Sequence, residues 1–162
     1  TDSDTDTDTD TDTDTDTAEC SADPVGACDA PEICGEPVRM VIRGGRVPTA
    51  DAGTLVPGVY VLTSAAVYDP SVPAGTERDG GMDLRYTFVF TAGGEVRGVV
   101  EADGAEVASA SGTWSTAEAT LTMLLTCGDA DSEPVYYTAT DTELHILTSS
   151  QAYTFAWAGP AS

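Results

Sequence analysis

The side chains in this chain that could do chemistry are few. His145 is the only histidine, and so the only side chain whose unperturbed protonation changes near neutrality. It stands in Glu143-Leu144-His145-Ile146-Leu147, out of phase with Leu144 and Ile146. If those two face a core, His145 points outward or toward a loop. No nucleophile motif stands beside it, and Ser109–Ser111 and Ser149-Ser150 lack a Gly-x-Ser-x-Gly setting. Arg85 and Arg97 lie in the hairpin segment 84–102 and are placed to pair with surface carboxylates. No set of base, nucleophile and metal ligands assembles from these residues. The expectation is therefore a protein that is not an enzyme, with no catalytic residue and no cofactor.

Two acidic stretches and four cysteines could bind or bridge. Asp129, Asp131 and Glu133, in Cys127-Gly-Asp-Ala-Asp-Ser-Glu-Pro134, alternate carboxylates in a loop. They could hold calcium weakly, without the glycine and bidentate glutamate of a dedicated calcium loop. Glu77, Asp79 and Asp83 around Gly80-Gly81 form a second such stretch. Cys20, Cys28, Cys34 and Cys127 are an even set, three of them inside a Pro- and Gly-containing segment. In an oxidising compartment they would form two disulfides. A zinc site is the rival reading, but no Cys-x-x-Cys pair occurs. All three pairings remain open; Cys20–Cys34 or Cys28–Cys34 would close a local loop while Cys127 staples it to the body.

Charge narrows the partners. The chain has 162 residues with 28 acidic and 6 basic side chains, a formal net charge of −22. All the basic residues are Arg, and Lys and Asn are absent. Such a surface repels phosphate backbones and anionic headgroups, which argues against a nucleic-acid partner. No apolar run of 18 residues occurs, so no helical membrane span is expected. Abundant Ala, Gly, Thr and Asp fit a GC-rich bacterial genome, and acidity without Lys would suit a salty medium. The sequence opens at Thr1 without a signal peptide, which is expected to have been removed or left out. Export, to the medium or the outer cell surface of a bacterium, is the inferred location.

The elements that must position these groups divide into three parts. Residues 1–17 alternate Asp with Thr or Ser and hold no large apolar side chain. Nothing there offsets the entropy of ordering, so a spacer is expected. Its hydroxyls at Thr5, Thr7, Thr9, Thr11, Thr13 and Thr15 could accept O-linked sugars. Residues 18–50 read as a cysteine-rich cap and linker, and residues 51–162 as the main domain. Nine β-branched and aromatic runs follow one another: Pro37–Arg43, Gly58–Ala65, Leu84–Thr91, Glu95–Ala102, Glu106–Ser115, Ala119–Cys127, Val135–Thr140, Glu143–Thr148 and Ala152–Ala158. Short links predict an antiparallel up-and-down meander closing into a small barrel, with a β-sandwich as alternative. A long loop is expected from Tyr68 to Asp83. Period two puts Tyr86, Phe88, Phe90, Leu121, Met123, Leu125, Phe155 and Trp157 inside, and Thr87, Thr91, Thr120, Thr122, Thr126 and Thr154 on a solvated face. Tyr60, Tyr86, Phe88, Trp114 and Trp157 could line a cavity for a small apolar ligand. Filling is the simpler role, because eight strands enclose little more than their own side chains.

Gly58-Val59-Tyr60-Val61-Leu62, Tyr86-Thr87-Phe88-Val89-Phe90 before Gly93-Gly94, Gly112-Thr113-Trp114-Ser115 leading into Leu121-Thr122-Met123, and Thr142-Glu143-Leu144-His145-Ile146 together resemble bacterial lipocalin-like lipoprotein domains. The resemblance covers roughly residues 55–158 and implies an eight-stranded up-and-down barrel. The Thr-Asp head before a cysteine-containing segment also resembles mature surface lipoproteins of myxobacteria, which implies a lipid anchor upstream of Thr1. The function expected is a β-barrel module for binding or display, tethered by an acidic spacer. The alternative is a structural subunit that self-assembles into an extracellular filament through its N-terminal segment.

Overall fold

The computed structural model describes residues 20–128 and 134–161. The Thr-Asp segment, with the candidate acceptors Thr5, Thr7, Thr9, Thr11, Thr13 and Thr15, lies outside the described residues, as do Asp129, Asp131 and Glu133. Among the described residues the protein is all-β, a closed mixed barrel of nine strands. They are β1 (Val38–Gly44), β2 (Gly58–Asp69), β3 (Glu77–Phe90), β4 (Glu95–Ala102), β5 (Ala105–Ala117), β6 (Thr120–Cys127), β7 (Val135–Ala139), β8 (Glu143–Leu147) and β9 (Gln151–Gly159).

From β2 to β9 the chain is a meander, because each link is too short for anything but an antiparallel neighbour. Ala102 pairs with Ala105 across Asp103-Gly104, and β9 returns to pair with β2 along Val59–Val67, which closes the barrel and removes its edges. The pairing of β6 with β7 is brief, confined to Thr120↔Tyr136 and Leu121↔Val135.

β1 departs from the expected pattern. β2 and β3 pair only where Gly58–Val61 meets Thr87–Phe90, and then splay. β1 fills the gap, parallel to β2 (Val41↔Ala66 to Gly44↔Asp69) and antiparallel to β3 (Val38↔Leu84 to Arg43↔Glu77). The long loop expected over Tyr68–Asp83 is accordingly mostly strand. β2 runs on to Asp69 and β3 begins at Glu77. Acidic residues and Gly80-Gly81 hide this in the sequence. The reason lies across the sheet: a Cβ at Gly80 would lie 2.7 Å from the Met40 carbonyl oxygen, so only glycine lets β1 approach. Arg39 and Arg43 then neutralise the acids opposite. Arg39 grips Asp79 through Nε–Oδ1 (2.7 Å) and Nη2–Oδ2 (2.9 Å), with Asp83 at 3.2 Å, and Arg43 Nε meets Glu77 at 3.0 Å. The sequence division at residue 50 leaves β1 on the N-terminal side of the barrel it completes.

Inside, Tyr60, Leu62, Leu84, Phe88, Phe90, Leu121, Tyr137, Leu144 and Phe155 form one buried cluster. Tyr86, Met123, Leu125 and Trp157 face the same interior but are only partly buried, packed against that cluster. Outside, the cap lies over one wall. Ala22 packs on the outward-facing Val59 and Val89, and Cys34 donates its backbone N–H to Thr87 Oγ1 at 2.8 Å. Thr87, expected on the solvated face, is therefore fully buried. A short 3₁₀ turn, Ala27–Asp29, is tied to the end of β6 by the disulfide Cys28–Cys127.

Candidate functional site

The aromatic residues that could have lined a ligand cavity pack on one another. Tyr60 is 0% and Phe88 5% exposed. Tyr86 stacks at 4.4 Å on Phe88, Phe88 lies 5.4 Å from Phe155, and Phe90 bridges Tyr60 (5.8 Å) and Trp114 (5.6 Å) edge to face. Three of the five use their polar ends on backbone. Tyr60 Oη donates to the Val56 carbonyl (2.7 Å), Trp114 Nε1 to Thr91 O (3.2 Å) and Trp157 Nε1 to Pro57 O (3.4 Å). Burial pushes the Tyr60 hydroxyl up to about 12. Tyr86 is different: it is partly exposed, and among the described residues its hydroxyl has no hydrogen-bond partner. Burial raises its pKa and so disfavours the phenolate, and the nearby Tyr153 phenol adds to the effect.

His145 sits on the opposite surface of the sheet, as its phase predicted. A change of phase in β2 brings companions to it. The register of β2 against β9 shifts between Leu62↔Phe155 and Ser64↔Thr154, with Thr63 as the extra residue. Before the shift, Val59 and Val61 face out; after it, Ser64, Ala66 and Tyr68 do. They join Ala152 and Thr154 of β9, His145 and Leu147 of β8, and Thr138 of β7 on one outer wall.

The segment 45–53, leaving the end of β1, crosses over that wall as a strap. Gly44 is anchored through its N–H to Thr76 O (2.9 Å). At the other end Ala52 bridges to Thr138 in parallel: its N–H donates to Tyr137 O (3.1 Å), its carbonyl accepts from Ala139 N (2.7 Å), and Asp51 N donates to Thr138 Oγ1 (2.8 Å). Gly53 follows at φ 117, where a Cβ would lie 2.0 Å from Ala139 O, so no other residue permits the strap to sit this close. Between Pro48-Thr49 of the strap and the wall lies a cavity of about 340 Å³.

Its polar groups converge. His145 Nδ1 is 3.0 Å from Thr154 Oγ1, and His145 Nε2 is 3.5 Å from Glu143 Oε2. Arg43, at the end of β1, contributes its guanidinium, steadied first by Glu77 and then by the Tyr68 side chain. Ala66, Leu147 and Ala152 supply an apolar floor. The hydroxyl and the imidazole share a hydrogen bond, and the carboxylate stands beside the other ring nitrogen. β8 and β9 lie between paired neighbours on both sides, so their backbone N–H groups serve the ladder instead of a bound oxyanion.

The other sequence candidates are dispersed. Glu77, Asp79 and Asp83 are engaged by the arginines of β1. Among the described residues no three His, Cys, Asp or Glu side chains gather as a metal set. Arg85 reaches the Gly35 carbonyl (2.9 Å) and Glu101 (3.5 Å), as a surface-pairing residue would. Arg97 lines a wider, more open cleft of about 590 Å³ between Pro24 and Asp29 of the cap and the outer faces of β4 to β6. Of the four cysteines, Cys28 and Cys127 are bridged and Cys20 and Cys34 are thiols. Sequence reasoning reached His145 and its outward phase; it missed Ser64, Ala66 and Tyr68, because nothing local marks the shift at Thr63.

A scan against family models finds no match, and searches of curated proteins and of solved structures find none either.

Proposed function

We propose that this chain is an exported, non-enzymatic binding module, a small barrel displayed through its acidic N-terminal segment, which holds a small ligand between the 45–53 strap and the barrel wall. The observation that carries this reading is the cavity itself. At about 340 Å³ it falls in the range of small-ligand sites, roughly 300–1,000 Å³, with an apolar floor and a few convergent polar groups. The barrel interior, by contrast, is occupied by its own rings. Binding is favoured over catalysis because Thr154, His145 and Glu143 stand on strands whose N–H groups are committed to the sheet, leaving a developing negative charge without backbone donors. The charge pattern, the bridged cap and the Thr-Asp segment support export and display.

A screen of small fragments against the ¹⁵N-labelled chain tests the assignment. Binders should shift the amides of Ser64, Tyr68, His145 and Thr154, and Ala66→Trp should abolish those shifts while the fold, read by circular dichroism, persists. Fragments that instead shift Tyr86 and Tyr153 would move the ligand into the barrel mouth and overturn the assignment.

A further inference from the structure

Cys20 and Cys34 lie outside the bridge that staples the cap, and both sit over the same outward-facing patch of β2 and β3, Cys20 on Val59 and Val89 and Cys34 on Thr87. Cys20 is half-buried beside Ala22, Val59 and Val89, and Cys34 is buried. The Cys20 side chain is near enough to push the pKa of the Cys34 thiol up. Cys34 is also the better fixed of the two. Its N–H is held by Thr87 Oγ1 at 2.8 Å, and the next carbonyl, that of Gly35, accepts from Arg85 Nε at 2.9 Å, so this part of the cap is pinned to the outer face of β3. Two thiols over one patch of wall, one of them anchored to the barrel, are placed where a bridge can form.

We propose that Cys20 and Cys34 form a second disulfide, which clamps the point where the Thr-Asp segment enters the cap onto the wall of β3. The order of events follows from access. A low-molecular-weight disulfide such as glutathione disulfide meets the more exposed Cys20 first: the Cys20 thiolate attacks one of its sulfurs, and one glutathione leaves as thiol. Cys34 then loses its proton and its sulfur attacks Cys20 Sγ, breaking the mixed disulfide and releasing the second glutathione. The two cysteines are oxidised and one glutathione disulfide is reduced to two thiols. Burial first, and then the nearby Cys20 side chain, push the Cys34 thiol up to about 12, so Cys34 is not the thiol that attacks the glutathione disulfide first.

The bridge changes where a pull on the N-terminal segment goes. Without it, tension runs along residues 21–27 to Cys28 and across to Cys127 in β6. With it, tension passes from Cys20 to Cys34 and straight into β1, and the packing of Ala22 on the wall is bypassed. The bridge needs only an oxidising medium and stands whether or not the strap cavity binds a ligand.

The full chain, reduced and then refolded with glutathione disulfide, should lose four hydrogens by intact mass and yield a non-reduced peptide pair joining Cys20 to Cys34. Cys20→Ser should keep Cys28–Cys127 and raise the rate of proteolytic nicking within residues 21–33 by about tenfold or more. The double variant Cys20→Ser/Cys34→Ser should nick no faster than the single one. Cys20 and Cys34 that stay open to alkylation while Cys28–Cys127 is fully formed would overturn the bridge. Nicking unchanged in Cys20→Ser would overturn its clamping role.

Discussion

Two stretches of the barrel's outer wall are built alike and end differently. On β3, Arg85, Thr87 and Val89 face outward; on β6, Thr122, Leu124 and Thr126 do. Val89 and Thr87 are 0% exposed, whereas Leu124 is 57% exposed. Thr87 accepts the Cys34 N–H beneath the cap, while Thr126, exposed, only reaches back to Ser111 O at 3.4 Å. The same residue type in the same phase is core in one place and surface in the other. Burial on the outside of a small barrel is thus set by whether a second segment lies over the strand, and here the cap covers β2 and β3, where Ala22 packs on Val59 and Val89 and where Thr87 and Arg85 hold Cys34 and Gly35.

The contrast can be broken most forcibly with a charge. Val89→Asp places an unpaired carboxylate under the cap and should cost roughly 3–5 kcal/mol in urea unfolding. Leu124→Asp, on the open wall, should stay within about 0.5 kcal/mol. Equal losses at the two sites would mean that the cap does not seal the wall.

A smaller effect is expected from the threonines. Thr87→Val keeps the shape but leaves the buried Cys34 N–H without its acceptor, at about 1–3 kcal/mol. Thr126→Val should be close to neutral, which chemical denaturation of the two variants side by side decides.

The seam of β1 with β3 should show itself in acid. Hydrogen bonding by Arg39, with a second from the Gly81 N–H, lowers the Asp79 carboxyl from 3.8 to about 2. Because the folded value is the depressed one, this contribution is complete above pH 3.8 and is lost as pH falls toward about 2. A carboxyl ¹³C titration should place the Asp79 midpoint near the lower figure, and Arg39→Ala should return it to the ordinary range. A wild-type midpoint already near 3.8 would show that the pair does not hold in solution.

The least effect should follow deletion of residues 1–17. With no large apolar side chain to bury, their removal should leave the melting temperature of the isolated chain nearly unchanged. A marked fall would extend the cap's hold beyond Cys20.

Much of the barrel was legible. Tyr86, Phe88 and Phe90 alternate with polar or branched residues strictly enough to fix both strand and face, and Ala92-Gly93-Gly94 and Asp103-Gly104 force antiparallel neighbours. The start of β3 was not legible, since Glu77-Arg78-Asp79-Gly80-Gly81 has no apolar alternation and is a strand only because β1 lies beside it with Arg39 and Arg43 facing the acids. The candidate site was half legible. His145 and Thr154 follow the plain phase of β8 and β9, but Ser64, Ala66 and Tyr68 reach the same wall only through the extra residue at Thr63.

By itself, then, the sequence determined what depends on near neighbours: an acidic surface without Lys, a β period of two, tight turns, and therefore a meander of strands with one apolar face. Tertiary structure alone decided what depends on residues far apart in the chain. It chose Cys127 as the partner of Cys28 across 99 residues, wedged β1 between β2 and β3, and laid the 45–53 strap over β7. The physical reason is that a side chain's phase along a strand is local, whereas what covers its outer face is set by long-range closure, whose entropy grows only slowly with the length of chain enclosed and so leaves distant partners nearly as accessible as close ones.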